Sequence, residues 1–340
     1  MVSYLHKIRA IARSAMGMNR RNIELIYPNN QVKDYKLADD KLMTKAVLEQ
    51  YDLACAKTYA AIESIGGIHT AWESVQGYSK LAIKPANGRG GGGIKILKKN
   101  PQGQWMSSGQ PISDTQIFKH FADIIMGVYS LGSRDRVLIE YCIEPHPFFH
   151  EIYPAGVPDF RVILLKHRPI MAMLRLPTDR SDGKANLHQG GLGIGIDLDT
   201  GTLQQAYDGQ AYYDVHPDTQ QPIKDRPIPH WDAIVTLSIQ TAKAFPLAYL
   251  GIDIVIDKSL GPLVMEINVR PGLGIQLANQ KGLREVFKLI LMKVQQSIIP
   301  FLVLLLLLVI GIPLAGYLLE SQAERTAIEI PVEAPAPSTA

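Results

Sequence analysis

The chain has 340 residues, two cysteines and a formal net charge of +3, and 46% of its residues are hydrophobic. That length allows one large or two ordinary domains with a substantial core. Two cysteines without metal-ligand spacing exclude a disulfide framework and predict buried thiols at Cys55 and Cys142 in a reducing compartment. Dispersed Lys and Arg, with no basic stripe interleaved with aromatics, exclude nucleic acid as the default partner.

In chain order, no secretory signal opens the sequence, because Lys7, Arg9, Arg13, Arg20 and Arg21 interrupt any apolar run. Tyr4–Met16 has helical spacing with a basic face. Asp39–Tyr51 reads as a helix, with Asp39 or Asp40 as its N-cap. Leu81–Lys84 is a short strand, Asn87–Gly93 a Gly-rich loop, and Ile94–Lys98 a second strand. Ser113–Leu131 reads as a helix and Arg136–Ile143 as a strand. Phe160–Leu165 and Ile170–Leu176 form a strand pair around a turn at His167–Pro169. Ser181–Gly195 is polar and Gly-rich, hence a loop. Trp231–Ala244 is a helix. Helices and strands mix without a regular βαβ repeat, so an α+β class with mostly antiparallel sheet is expected.

Ile252, Ile254 and Ile256 then alternate with Asp253, Val255 and Asp257, and Leu263-Val264-Met265 leads into Glu266 and Asn268. The period of two argues strands. Residues two apart share a strand face, so Glu266 and Asn268 point the same way. If the strands pair through Lys258–Pro262, Asp253 joins them in an all-oxygen cluster suited to Mg²⁺. Surface acids on a hairpin are the competing reading.

Gly88-Arg89-Gly90-Gly91-Gly92-Gly93 formally matches GxGxxG. The strand pattern that follows it, rather than a helix, argues against a dinucleotide fingerprint and for a flap whose N–H groups fold over phosphates. A kinase would share such a flap, but the chain has no HRD or DFG sequence. Lys84 at the preceding strand end is a fixed cation for a phosphate.

Downstream, no charge occurs between Lys293 and Glu320. Ile298–Leu319 would span about 33 Å at ~1.5 Å per residue, enough for the hydrocarbon core of a bilayer. Lys281, Arg284, Lys288 and Lys293 precede this stretch, and the tail after it is acidic. The charge bias puts the preceding part on the cytoplasmic side. The expected organisation is a helical segment over 1–38, a main domain over 39–290, a transmembrane helix over 297–319 and a disordered tail over 320–340.

Several motifs in order carry a resemblance. They are Asp40-Lys41 with Thr44-Lys45, Lys84-Pro85 before the flap, Glu140-Tyr141-Cys142-Ile143, Asp159-Phe160-Arg161, and Glu266-Ile267-Asn268 with Pro271-Gly272. Together they resemble the ATP-grasp fold. Asn186-Leu187-His188-Gln189-Gly190-Gly191 is similar to a loop of RimK-type glutamate ligases, and Asn19-Arg20-Arg21-Asn22 fits the alpha-L-glutamate ligase-like branch, related to sugar-transfer-associated ATP-grasp proteins. The resemblance runs from about Gly17 to Gly282 and implies two α+β subdomains gripping ATP, hinged near 140–144.

The same resemblance implies the site. Glu140 and the backbone around Cys142 and Ile143 would meet adenine, with Glu144 reaching ribose. Lys41 and Lys84 would hold phosphates under Gly90, Gly91, Gly92 and Gly93. Asp253, Glu266 and Asn268 would bind one or two Mg²⁺ ions, with Mn²⁺ as a substitute. Arg161, Arg175 and Arg270 would clamp the reacting carboxylate or phosphate, a task that suits the guanidinium fork, and Asn186 would contact metal or phosphate. The implied activity is a carboxylate–amine ligase working through an acyl-phosphate. Its implied partners are glutamate and a peptide or protein amine, besides the membrane. A nucleotide-binding membrane adaptor without turnover and a kinase with another acceptor are the alternatives.

Overall fold

In a computed structural model, residues 14–88, 90–181 and 183–289 are described. The chain divides into a unit ending at Val286 and a second from Phe287 onward. The expected span over 297–319 and the tail lie outside the described residues. Among the described residues, no helix is long and apolar enough to cross a membrane.

The first unit is built on two sheets, and every strand pairing within them is antiparallel. The six strands of the first are β1 (Thr58–Ile62), β2 (Lys80–Pro85), β3 (Lys95–Lys99), β4 (Trp105–Ser107), β5 (Gln110–Pro111) and β6 (Val137–Glu140), in the order β1-β6-β2-β3-β4-β5. Its apolar face takes Leu81, Ile83, Leu97 and Ile139 under Trp72 and the helix Asp114–Ile125. That helix buries Ile117, Phe121 and Ile124 at helical spacing. Each such side chain contributes roughly 1.5–3 kcal/mol. Ser113 and Gln116 close its N-terminus as a capping box.

The second sheet has the order β11-β10-β9-β8-β7-β12-β13. Its strands are β7 (Asp159–Leu165), β8 (Arg168–Leu176), β9 (Leu192–Ile196), β10 (Leu203–Tyr207), β11 (Tyr212–Tyr213), β12 (Tyr249–Asp257) and β13 (Gly261–Asn268). β12 runs between β7 and β13 and is buried along its whole length. Helix α1 (Lys41–Gln50) packs on β13 and on helix α2 (Trp231–Ala244), which itself lies across β8, β7, β12 and β13.

Three boundaries differ from the sequence reading. The helix expected to reach Leu131 stops at Ile125, where the chain turns through Gly127 and Gly132. The strand expected to run to Ile143 ends at Glu140; Tyr141 N still bonds to Lys57 O beside β1, and from Glu144 onward the backbone bonds to the second sheet. The loop expected over Ser181–Gly195 contains β9. Its glycines misled because they serve packing: a Cβ at Gly195 would lie 2.7 Å from the Ala278 carbonyl oxygen.

Candidate nucleotide and metal site

Asp40 caps α1, accepting from Leu42 N at 3.0 Å and Met43 N at 3.2 Å. Its other oxygen pairs with Arg136. The cap sets the helix phase, and Lys41 and Lys45, four apart, share one face. Lys45 is buried and reaches Glu140 Oε2 at 2.7 Å. Lys84 takes the other oxygen of Glu140. The two strand residues are diagonal neighbours, since Ala82 pairs with Glu140 across β2 and β6. Burial would raise the Glu140 carboxyl, but Lys84 and Lys45 more than offset it and hold its pKa below the ordinary value. Lys41 donates to Gly88 O at 2.9 Å and lies 3.5 Å from Glu266 Oε1. These side chains leave a cavity of only about 10 Å³ between them.

The flap joins β2 to β3. Gly90 and Gly91 have φ of +60° and +77°, a backbone that side-chain-bearing residues rarely adopt. Its root is fixed by buried Asp135, which accepts from Asn87 N at 3.1 Å and Asn87 Nδ2 at 2.9 Å. Its far end is held where His120 Nε2 meets Gly93 O at 3.0 Å. Burial lowers the His120 pKa, which favours the neutral ring donating that bond.

Beyond Glu140 the linker turns toward the second sheet. Fully buried Asp257 accepts from Tyr141 Oη at 3.1 Å, Glu144 N at 2.8 Å, Ser259 N at 2.8 Å and Leu260 N at 3.0 Å. Hydrogen bonds from Lys258 and Lys80 bring Glu144 down to about 2. Cys142 is buried, and burial raises its thiol pKa. Ile143 is half-buried beside it, and Cys55 is half-buried rather than enclosed.

The hairpin of β12 and β13 forms as its alternation requires. Asp253 pairs across the strands with Glu266 on one side and Arg161 on the other. Arg161, Asp253 and Glu266 therefore form one row across three strands. Asp253 is fully buried: Arg161 Nε and Nη2 reach it at 2.8 and 2.7 Å, Arg175 Nη2 at 2.7 Å and Asn268 Nδ2 at 3.1 Å. Burial alone would raise this carboxyl, but Arg161 and Arg175 hold it at about 2. Arg175 also donates to Asp159 at 2.5 Å. Burial pushes the Asp159 pKa upward against that pull.

Among the described residues, no three His, Cys, Asp or Glu side chains converge on a metal position. Two acids and an amide nevertheless suit a hard divalent ion in donor type and register. Glu266 is the open member, with its side chain 37% exposed. Asp253 faces the guanidinium groups instead.

Two expected residues stand apart from this cluster. Arg270 is half exposed, stacks over the Tyr35 ring at 4.8 Å and lies 4.0 Å from Asp39. Asn186 accepts from His188 N at 3.0 Å and so caps its own turn. That loop comes near the flap where Gln189 Nε2 lies 3.5 Å from Gly90 O.

The sequence reading assigned no role to Lys45, Asp159 or Asp257. Lys45 was readable as the fourth residue after Lys41, and Asp159 as the strand-face neighbour of Arg161. The N-terminal stretch also braces the hairpin. Asn30 Nδ2 donates to Tyr249 O at 2.6 Å and its Oδ1 accepts from Tyr249 N at 3.0 Å, where β12 starts. Buried Arg21 donates to Pro271 O at 2.9 Å, just past the end of β13.

This arrangement places Lys41, Lys45 and Lys84 with Glu140 and Glu266 around one small cavity where the two sheets meet, with the Gly-rich flap starting at Gly88 beside Lys41. The chain matches the family described as "Sugar-transfer associated ATP-grasp" over residues 20–292, and it belongs to that family. ATP-grasp proteins of this kind are typically ATP-dependent carboxylate–amine ligases. Among solved structures, D-alanine–D-alanine ligase from Bacillus anthracis complexed with ATP is similar at 14% identity and a TM-score of 0.46, over 79% of this chain and 70% of that one. The ATP-grasp ligase PsnB, complexed with a phosphomimetic variant of its minimal precursor, Mg and ADP, is similar at 12% identity and a TM-score of 0.40. That match covers 75% of this chain and 57% of PsnB, less than two thirds of its length. No curated protein matches.

Proposed function

We propose that the chain is an ATP- and Mg²⁺-dependent ligase that activates a carboxylate as an acyl-phosphate and joins it to an amine. The observation that carries this reading is the convergence of Lys41, Lys45 and Lys84 on Glu140 and Glu266 around one small cavity, with Lys41 bonded to Gly88 at the start of the Gly-rich flap. Three fixed cations beside a carboxylate provide for a polyphosphate with its ion.

In this reading Lys45 and Lys84 exchange Glu140 for phosphate oxygens, which frees Glu140 for the adenine edge beside the Cys142–Ile143 backbone. Glu144 stands at the ribose end. Glu266 and Asn268 hold the ion with Asp253 behind them. The ion, when bound, supplies charge neutralisation on the phosphates. Arg161 and Arg175 orient Asp253 and present positive charge to the acyl group. The likeness of the Asn186–Gly191 loop to glutamate ligases makes glutamate and peptide amines the first pair to test. We also propose that residues 297–319 tether the domain to the inner face of a membrane.

The test incubates the full chain with Mg-ATP and panels of amino acids and peptides, following ADP and new amide by mass spectrometry. ADP appearing together with an amide supports the ligase. A stable phosphorylated product without amide would choose a kinase, and nucleotide binding without turnover an adaptor. No nucleotide binding in the presence of Mg²⁺ would sink all three.

A further inference from the structure

Thr58, at the start of β1, carries a polar atom that its surroundings leave unused. Its Oγ1 is enclosed and makes no hydrogen bond among the described residues. A buried hydroxyl without a partner is unfavourable and calls for an explanation. Thr58 stands directly across from Glu140 where β1 pairs with β6. Side chains opposite one another on antiparallel strands share a face, with Cβ atoms about 5 Å apart. The register shifts between Thr58 and Ala60, a bulge of the kind that re-aims a side chain.

The residues just before Thr58 also close around Glu140. Ala56 O accepts from Lys45 Nζ, the cation that holds Glu140 Oε2. Lys57 O accepts from Tyr141 N at 2.9 Å and so fixes the backbone just past Glu140. Glu140 itself is only 1% exposed. Once Lys45 and Lys84 turn to phosphate, its carboxylate loses a cation from each oxygen while still enclosed. A buried charge stripped of its partner is strongly destabilising. The Thr58 hydroxyl can donate one hydrogen bond, and it has no other partner to give up.

We infer that Thr58 is a positioning residue for Glu140: its hydroxyl takes one carboxylate oxygen when the two lysines leave, and the other oxygen then faces the nucleobase. The inference rests on the proposed exchange of Glu140 for phosphates at Lys45 and Lys84. It adds a receiver for the displaced carboxylate, so that Thr58 contributes to polyphosphate affinity without touching phosphate.

The test titrates the full chain with inorganic tripolyphosphate and with ATP, each with Mg²⁺, by calorimetry, and compares unfolding of the empty proteins. Thr58→Val removes the hydroxyl and keeps the side-chain shape. Both ligands should bind it about tenfold more weakly, the loss expected for one hydrogen bond to a charged group. The empty variant should be at least as stable as wild type, because an unpaired hydroxyl has gone. Thr58→Ser, which keeps the hydroxyl, should bind as wild type does. In a Glu140→Gln background, Thr58→Val should change tripolyphosphate affinity by less than about twofold. Undiminished affinity in Thr58→Val would overturn the inference and leave the nucleotide reading standing. Equal weakening in both backgrounds, or by Thr58→Ser as well, would do the same. Destabilisation of the empty Thr58→Val chain would show that the hydroxyl already has a partner, such as an internal water, and would also overturn it. Wild type that binds neither ligand would remove the nucleotide reading and the inference together.

Discussion

Lys45 and Glu140 meet at 2.7 Å, a buried ion pair that joins helix α1 to the end of β6, with Lys84 on the opposite carboxylate oxygen. The pair occupies the space that the proposed reading gives to phosphates, so Glu140 and a polyphosphate compete for the same cations. Glu140→Gln should therefore tighten binding of inorganic tripolyphosphate severalfold while weakening the preference for ATP over GTP. Titration calorimetry with the three ligands checks both halves. Unchanged tripolyphosphate affinity would separate Glu140 from the phosphate site.

Asp253 and Glu266 are register partners with opposite surroundings, and their variants should part company. Asp253→Asn leaves Arg161 and Arg175 buried around a neutral amide and removes the carboxylate that both guanidinium groups share. Breaking a buried charge pair costs about 3–5 kcal/mol, and urea unfolding should detect a loss of that order. Glu266→Gln removes an accessible carboxylate, and its unfolding free energy should stay within about 0.5 kcal/mol of wild type. Mg²⁺-dependent nucleotide binding should nevertheless fall at least tenfold. Equal destabilisation by both variants would contradict this division.

Glu144 offers a pH test. Its folded pKa of about 2 lies below the ordinary carboxylate range, so its contribution is full above that range and is lost as pH falls toward 2. Because the group is partly solvated, the contribution is about 0.5–1 kcal/mol. Wild type should exceed Glu144→Gln in stability by that amount at pH 7, and the gap should close between about pH 5 and pH 2. Denaturant melts at intervals across the range would measure it. A gap independent of pH would remove the charge from the explanation.

Asn30 satisfies both backbone polar groups of Tyr249 with one side chain. Asn30→Ala leaves a buried N–H and a buried C=O unpaired, each worth about 1–3 kcal/mol. The expected loss is about 2–4 kcal/mol by chemical unfolding, with faster amide exchange along β12. Protection unchanged at Tyr249 and Leu250 would show that the brace is dispensable.

Much of this was legible in the sequence because alternation and composition act locally. The period of two through Ile252–Asp257 located β12, and Glu266 and Asn268 on one face followed from strand geometry. The flap was readable because Gly90–Gly93 is followed by a strand pattern. What escaped was set by distant partners. The glycines of β9 read as a loop until the Ala278 carbonyl is seen against Gly195. The end of β6 at Glu140 depends on Asp257, more than a hundred residues on. Asp253 looked like an open metal ligand, because alternation gives the face of a side chain and not the two arginines brought to it by β7 and β8. Arg270, read as a third clamp, is drawn instead to Tyr35 and Asp39.

The four hydrogen bonds that Asp257 accepts have a consequence for how the two halves could separate. Two of them, from Tyr141 Oη and Glu144 N, fasten the linker to the β12–β13 turn, while the other two close the turn itself. Any swing of the first sheet then pivots near the end of β6 and must break the contacts that cross outside it, among them Lys80–Glu144, Asp40–Arg136, Lys41–Gly88 and Lys45–Glu140. In such a swing Lys84 and the flap leave together, while Lys45 and the linker backbone stay behind. A nucleotide would lose its grip at one end of the phosphate chain before its base came free, and departure would begin from the reacting end.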